Sequence, residues 1–170
     1  MKDISFDLET LGTSANSKIL SIGAAYFDRY SGAIGRTLYL ILDTNDDPQG
    51  EVSEATLKWW SEQEAAARAV FSYGVKCKAR DAVIALQEFV DPDACVWGNG
   101  SSFDITILGS YIVRHGHREP WKFWNVRDMR TVVDLAGNPA LPFVGTKHNA
   151  VDDAVHQAKV IAECIGRLTR

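Results

Sequence analysis

The sequence predicts an α/β domain, a mixed sheet with helices packed on it. Three strand-like runs open the chain and follow one another through short turns. Helical periodicity dominates what comes after, and one short apolar run, Ala94 to Trp97, returns to strand character. Strands first, then helix alternating with strand, is the order of a mixed sheet flanked by helices.

Residues 3–9 alternate with the period of a strand, Ile4, Phe6 and Leu8 on one face and Ser5, Asp7 and Glu9 on the other. Ile19 to Phe27 is a continuous apolar strand. Gly32 and Gly35 punctuate a turn, and Thr37 to Leu42 reads as a third strand. The short turns make this opening antiparallel. Asp43 to Gly50 is a connection inside the domain. Ser53 caps a helix through Ala55, Leu57, Trp59 and Trp60. Neighbouring tryptophans on a helix face different ways, so one belongs to the core and one to a lid, groove or subunit contact.

Ala79 to Val90 is helical, and the strand at 94–97 ends at Gly98. Phe103 to His115 forms a helix with Ile105, Leu108, Ile112 and Val113 inward. A further helix over Arg127 to Ala136 places Arg127 and Arg130 on one face. The last helix, from Asp152 to about Arg167, lines up Ala154, Ala158, Ile161, Ala162 and Ile165.

A chain of 170 residues with no repeat or linker suits one domain, 1–170. The apolar fraction of 46%, with five Trp and seven Phe, excludes a disordered chain. No apolar run is long enough for a bilayer and Met1-Lys2-Asp3-Ile4 is unlike a secretory signal, so a cytoplasmic protein without a membrane partner is expected. Cys77, Cys95 and Cys164, without a CxxC pair, read as buried thiols of a reducing compartment. The net charge of −4 excludes coating of nucleic acid by bulk electrostatics, though not a local grip on a strand end through Lys122, Arg127, Arg130 or Lys147. No phosphate-cradling glycine motif appears. His115-Gly116-His117 lacks a third zinc ligand at suitable spacing and reads as a helix end.

Four acids and a histidine stand out. Asp7 and Glu9, at i and i+2 on a strand, point to one side. Without a cation their repulsion raises one pKa; with Mg²⁺ or Mn²⁺ both stay ionised. An exposed, solvated strand end is the competing reading. Asp104 follows the Gly98–Ser102 turn and opens a helix, where it serves as a cap or as an acid beside Phe103, itself a stacking surface or core. His148 lies in a loop after Pro142 and Gly145, and either Asp152 or Asp153 sits in the first turn that follows. A loop histidine near metal-bound water can take its proton.

As an ordered set, Asp-x-Glu on the first strand, Phe103-Asp104 in mid-chain and His-x4-Asp near the end resemble the DEDDh (DnaQ-like) 3′-5′ exonucleases, of ribonuclease H-like fold. Thr56-Leu57-Lys58-Trp59-Trp60 and the segment Lys122 to Thr131 are similar to the phage exonuclease A branch, which includes a mycobacterial exoribonuclease type. The resemblance implies a five-stranded sheet, antiparallel in its first three strands and then parallel. It implies catalytic Asp7, Glu9, Asp104, Asp153 and His148, with the spacing of four selecting Asp153 over Asp152. Asp7, Glu9, Asp104 and Asp153 would hold two ions, Mg²⁺ or Mn²⁺, with His148 as general base. Thr10, Leu11 and Gly12 would meet the terminal nucleotide, with Phe103 and Lys147 as further contacts. The implied activity is release of nucleoside 5′-monophosphates from single-stranded 3′ ends, DNA slightly ahead of RNA, and a homodimer is one implied assembly. The alternatives are a silent nucleic-acid-binding or replication-partner module of the same fold and an enzyme for short oligoribonucleotides.

Overall fold

β1 (Asp3–Thr10) is the middle strand of a five-stranded sheet, in a computed structural model that describes residues 1–72 and 74–169. It pairs antiparallel with β2 (Ile19–Phe27), Asp7 opposite Gly23, and parallel with β4 (Cys95–Gly98). β3 (Ile34–Ile41) lies antiparallel to β2, and β5 (Val126–Asp128) parallel to β4, giving the order β3-β2-β1-β4-β5.

The alternation in β1 separates two buried faces. Ile4, Phe6 and Leu8 pack with Ala82, Val83 and Leu86 of α3 (Ala79–Phe89) and with Ile105, Leu108 and Ile112 of α4 (Asp104–Arg114). The opposite face, carrying Ser5, Asp7 and Glu9, lies under α6 (Ala150–Leu168), whose Ala158, Ile161 and Cys164 join Phe27 and Trp97. A third cluster gathers Leu11, Leu20, Trp60, Ala67 and Val70, where α1 (Glu54–Ser61) and α2 (Ala65–Arg68) fold over the end of β1. One glycine decides how close α6 comes. A Cβ on Gly23 would lie 1.9 Å from the Ala150 carbonyl oxygen, so only glycine lets the start of α6 rest on the sheet opposite Asp7.

Several sequence expectations need correction. Val126–Asp128 is a strand, and α5 (Met129–Leu135) starts only after the Asp128 carboxylate accepts from the Thr131 N–H. That cap overrides the helical pattern at Arg127, which therefore shares no helix face with Arg130. Val113 is 59% exposed, and Ile107 and Tyr111 fill the inner face of α4 instead. Cys164 is buried, but Cys77 and Cys95 are only half-buried. Asn149 caps α6 through the Val151 and Asp152 N–H groups, so the helix begins two residues before Asp152. Among the described residues no helix is long and apolar enough to cross a membrane.

Candidate active site

Two elements distant in sequence supply one tight group of acids. Asp7 and Glu9 leave β1 on the α6 side, and Asp153 descends from the first turn of α6. One oxygen from each lies within 4.8 Å of the other two. Asp153 Oδ2 is buried without a hydrogen-bond partner. Hard oxygen donors in that number, with one lone pair left orphaned, fit a divalent cation of the Mg²⁺ or Mn²⁺ type.

Asp104 stands beside this group rather than within it. β4 ends at Gly98, opposite Phe6, and past that point Asp104 Oδ1 accepts from the Leu8 N–H at 3.2 Å. The side chain thus extends the sheet pairing into the site. Gly98 leaves room for it, since a Cβ there would sit 3.0 Å from the Asp104 Cβ.

The electrostatics follow from burial first and from crowding second. Burial, then the charges of Asp104, Glu9 and Asp153, push the Asp7 carboxyl well above the usual range. Burial with Asp153 and Asp104 raises Glu9 to about 8. Burial raises Asp104 to about 7 against the pull of the Leu8 N–H, and Asp153 is also raised by burial, opposed by the His148 main chain. Carboxyls in this state accept either protons or a cation.

The surrounding contacts fix these acids. Gln157, one turn beyond Asp153 on α6 and 5% exposed, donates from Nε2 to Asp7 Oδ1 at 2.6 Å. Sequence reasoning missed Gln157; the available signal was a glutamine on the apolar face of a helix, i+4 from an acid. Asp152 turns away, accepting from the Thr146 N–H at 2.8 Å.

His148 holds a left-handed backbone (φ 62°) in the loop before α6. Its Nδ1 lies 3.9 Å from Glu9 Oε1, and its ring stands edge-on to Trp59 at 5.2 Å between centroids. Trp60 is buried and donates from Nε1 to the Thr10 carbonyl, whereas Trp59 is 41% exposed. The division expected of the two tryptophans is present.

A groove of about 430 Å³ adjoins the acids, walled by Glu9, Thr10, Gly12, Trp59, Trp60 and Phe103 among others. The Thr10 hydroxyl donates to the Gly12 carbonyl at 2.6 Å. Leu11 turns into the core, and both its main-chain N–H and carbonyl are bonded, to Lys18 and Ser53. Gly12 owes its size to Ser17, whose Oγ would lie 2.6 Å from an added Cβ. Lys147 is exposed and lines a separate cavity of about 460 Å³ with Gln63, Glu64, Gly145 and His148.

Comparison with known proteins gives the family and the fold. A family model described as the 3′-5′ exoribonuclease Rv2179c-like domain matches residues 2–165, and the chain belongs to that family. An exodeoxyribonuclease of Enterobacteria phage T4 is 23% identical over 163 residues, 79% of this chain and 71% of its own. Among solved structures, the nuclease domain of 3′hExo, a DEDDh family member bound to rAMP, superposes with a TM-score of 0.59 at 11% identity, over 95% of this chain and 90% of that one. Exonuclease X, in complex with 5′ overhanging duplex DNA, gives 0.52 at 16% identity over 93% and 88%. The fold is that of the ribonuclease H-like exonucleases, and the chain is a 3′-5′ exonuclease.

Proposed function

We propose that this member of the Rv2179c-like exonuclease family removes nucleotides singly from single-stranded 3′ ends and releases nucleoside 5′-monophosphates. The observation that carries the reading is the convergence of Asp7, Glu9 and Asp153 within 4.8 Å, with His148 at the rim. Asp7, Glu9, Asp153 and the adjacent Asp104 would hold Mg²⁺ or Mn²⁺, two ions for four carboxylates. Bound there, such ions supply Lewis-acid charge that acidifies a water and stabilises the leaving 3′ oxygen.

The side chains divide the remaining work. His148 takes the proton of the attacking water, from a half-exposed loop position that lets the imidazole reach the groove and release the proton to solvent. Gln157 orients Asp7, and the Leu8 N–H orients Asp104. Trp59 and Phe103 offer aromatic surface to the terminal base, with Thr10 and Gly12 beside it. Leu11 supports this wall from the core, and Lys147 lies exposed for a phosphate.

Single-stranded DNA is the first substrate to test, in line with the phage relative's name. RNA is the second reading, favoured by the description of the family. The test offers 3′- and 5′-labelled single- and double-stranded DNA and RNA with Mg²⁺ or Mn²⁺. Label leaving first from the 3′ end as mononucleotide is the expected result, and release from the 5′ end first overturns the proposal.

A further inference from the structure

We propose that Phe123 and Trp124, flanked by Arg127 and Arg130, form a second stacking platform that holds single-stranded nucleic acid on the 5′ side of the scissile phosphate. This rests on the proposed function and names a part of the substrate that the acid-lined groove leaves unheld.

The two rings are 77% and 59% exposed and meet edge-to-face at 4.8 Å, so each keeps a free surface. They sit on one turn, Phe123–Asn125, whose flanks are fixed. Trp121, 5% exposed, packs on Phe6 in the core, and Arg127 Nη1 donates to the Trp124 carbonyl at 2.8 Å. Two large aromatics presented on a rigid support mark a binding surface.

The charge nearby indicates what binds. Lys122 pairs with Asp93 and lies 5.9 Å from the Trp124 ring centre. Arg127 and Arg130 make no ion pair among the described residues. Arg127 holds the Trp124 carbonyl and Arg130 reaches the Asn99 loop, and cations on the same segment as open aromatic faces suit stacked bases and their phosphates.

Continuity with the acids comes through one loop. A groove of about 300 Å³ runs past Ser101, Ser102, Ile105, Trp121 and Phe123. Its one acid, Glu119, packs its carboxylate against Gly109 of α4. The Ser101–Ser102 wall leads directly into Phe103 and Asp104. Asp128 Oδ2 accepts from the Ser101 N–H at 2.6 Å, and Arg130 Nε donates to Asn99 Oδ1 at 3.3 Å, so the platform's own elements hold the loop that presents Asp104.

The test compares Phe123→Ala, Trp124→Ala, the double variant and the ring-keeping Trp124→Phe with the parent chain. Anisotropy of a labelled single-stranded 12-mer with Ca²⁺ reads binding, and the kcat/KM ratio of 12-mer to dinucleotide with Mn²⁺ reads position. The expected result is a rise of about tenfold in Kd for each alanine variant, the scale of one lost base stack, a similar fall in the ratio, and recovery in Trp124→Phe. An unchanged Kd overturns the platform, as does an unchanged Kd accompanied by loss of self-association in sedimentation, which would make the rings a protein contact. If the alanine variants melt early, photo-crosslinking of 5-iodouridine 12-mers to the parent chain decides: crosslinks at Phe123 or Trp124 support the platform, and crosslinks confined elsewhere overturn it. A parent chain that binds through these rings but releases no mononucleotide would sink the exonuclease mechanism and leave the platform standing.

Discussion

Gln157 Nε2 and Asp7 Oδ1 meet at 2.6 Å across 150 residues of sequence, joining the last helix to the first strand at the point where the acids gather. Gln157 also lies 3.5 Å from the Ser5 hydroxyl, which fixes the amide's orientation. Loss of a group that orients a metal-binding carboxylate typically costs about 10–100-fold in metal affinity. Gln157→Ala is expected to weaken Mn²⁺ binding by that factor in calorimetry; unchanged affinity would show that Asp7 orients itself.

His148→Ala should lower kcat by roughly 10²–10⁴-fold, the usual contribution of a positioned general base, while Mn²⁺ affinity stays near that of the parent. Single-turnover rates together with a metal titration separate the two effects. A variant that loses metal and rate in parallel would assign His148 to the ion instead.

Asp153→Asn should abolish metal-dependent turnover yet raise the melting temperature in EDTA near pH 8, because it removes a charge that crowds Asp7 and Glu9. Asp152→Asn alters the contact to the Thr146 N–H and removes one charge beside Asp153, and should retain most of the turnover. Equal losses in the two variants would erase the distinction between these neighbours.

The metal-free protein should grow less stable as pH rises. Glu9, at about 8, and Asp104, at about 7, hold protons in the folded chain that the unfolded chain releases near its ordinary carboxylate range. Their contribution is complete below about pH 4 and is lost as pH climbs through 7–8. Melting temperatures in EDTA should therefore fall between pH 5 and 8.5, and Mn²⁺ should restore them most at the alkaline end. A flat profile in EDTA would mean that burial and mutual repulsion do not hold these carboxyls protonated in the folded chain.

Gly23→Ala should cost at least the roughly 1–3 kcal/mol of an overpacked core, because the added methyl meets main chain rather than a side chain that can swing aside. Turnover should fall as well, since Asp153 rides on the displaced helix. Denaturant melts and rates read both effects.

The acids were legible because chemistry and period coincide: Asp7 and Glu9 at i, i+2 must share a side, and Asp104 and Asp153 both open helices. Physics alone did not separate Asp152 from Asp153. That choice depends on which way the Gly145–Thr146 loop turns, and there Asp152 accepts the Thr146 N–H. The resemblance implied a fifth strand, but the residue pattern did not place it, because the three residues of β5 carry too little periodicity and only pairing with β4 makes them a strand. Gly23 was silent for a similar reason: it matters through one close approach to a distant main chain, and spacing along the chain records no such contact. Leu11, with an implied role at the nucleotide, has its side chain buried with Leu20 and Trp60, a placement that its position in the chain did not reveal.

Because β1 brings Asp7 and Glu9 and α6 brings Asp153, the constellation has no local precursor. A polypeptide still emerging from the ribosome carries the first two acids early but lacks the third until the final helix has cleared the exit tunnel. The three-acid group therefore forms only once the last helix has docked on the first strand, so its assembly marks the closing step of folding.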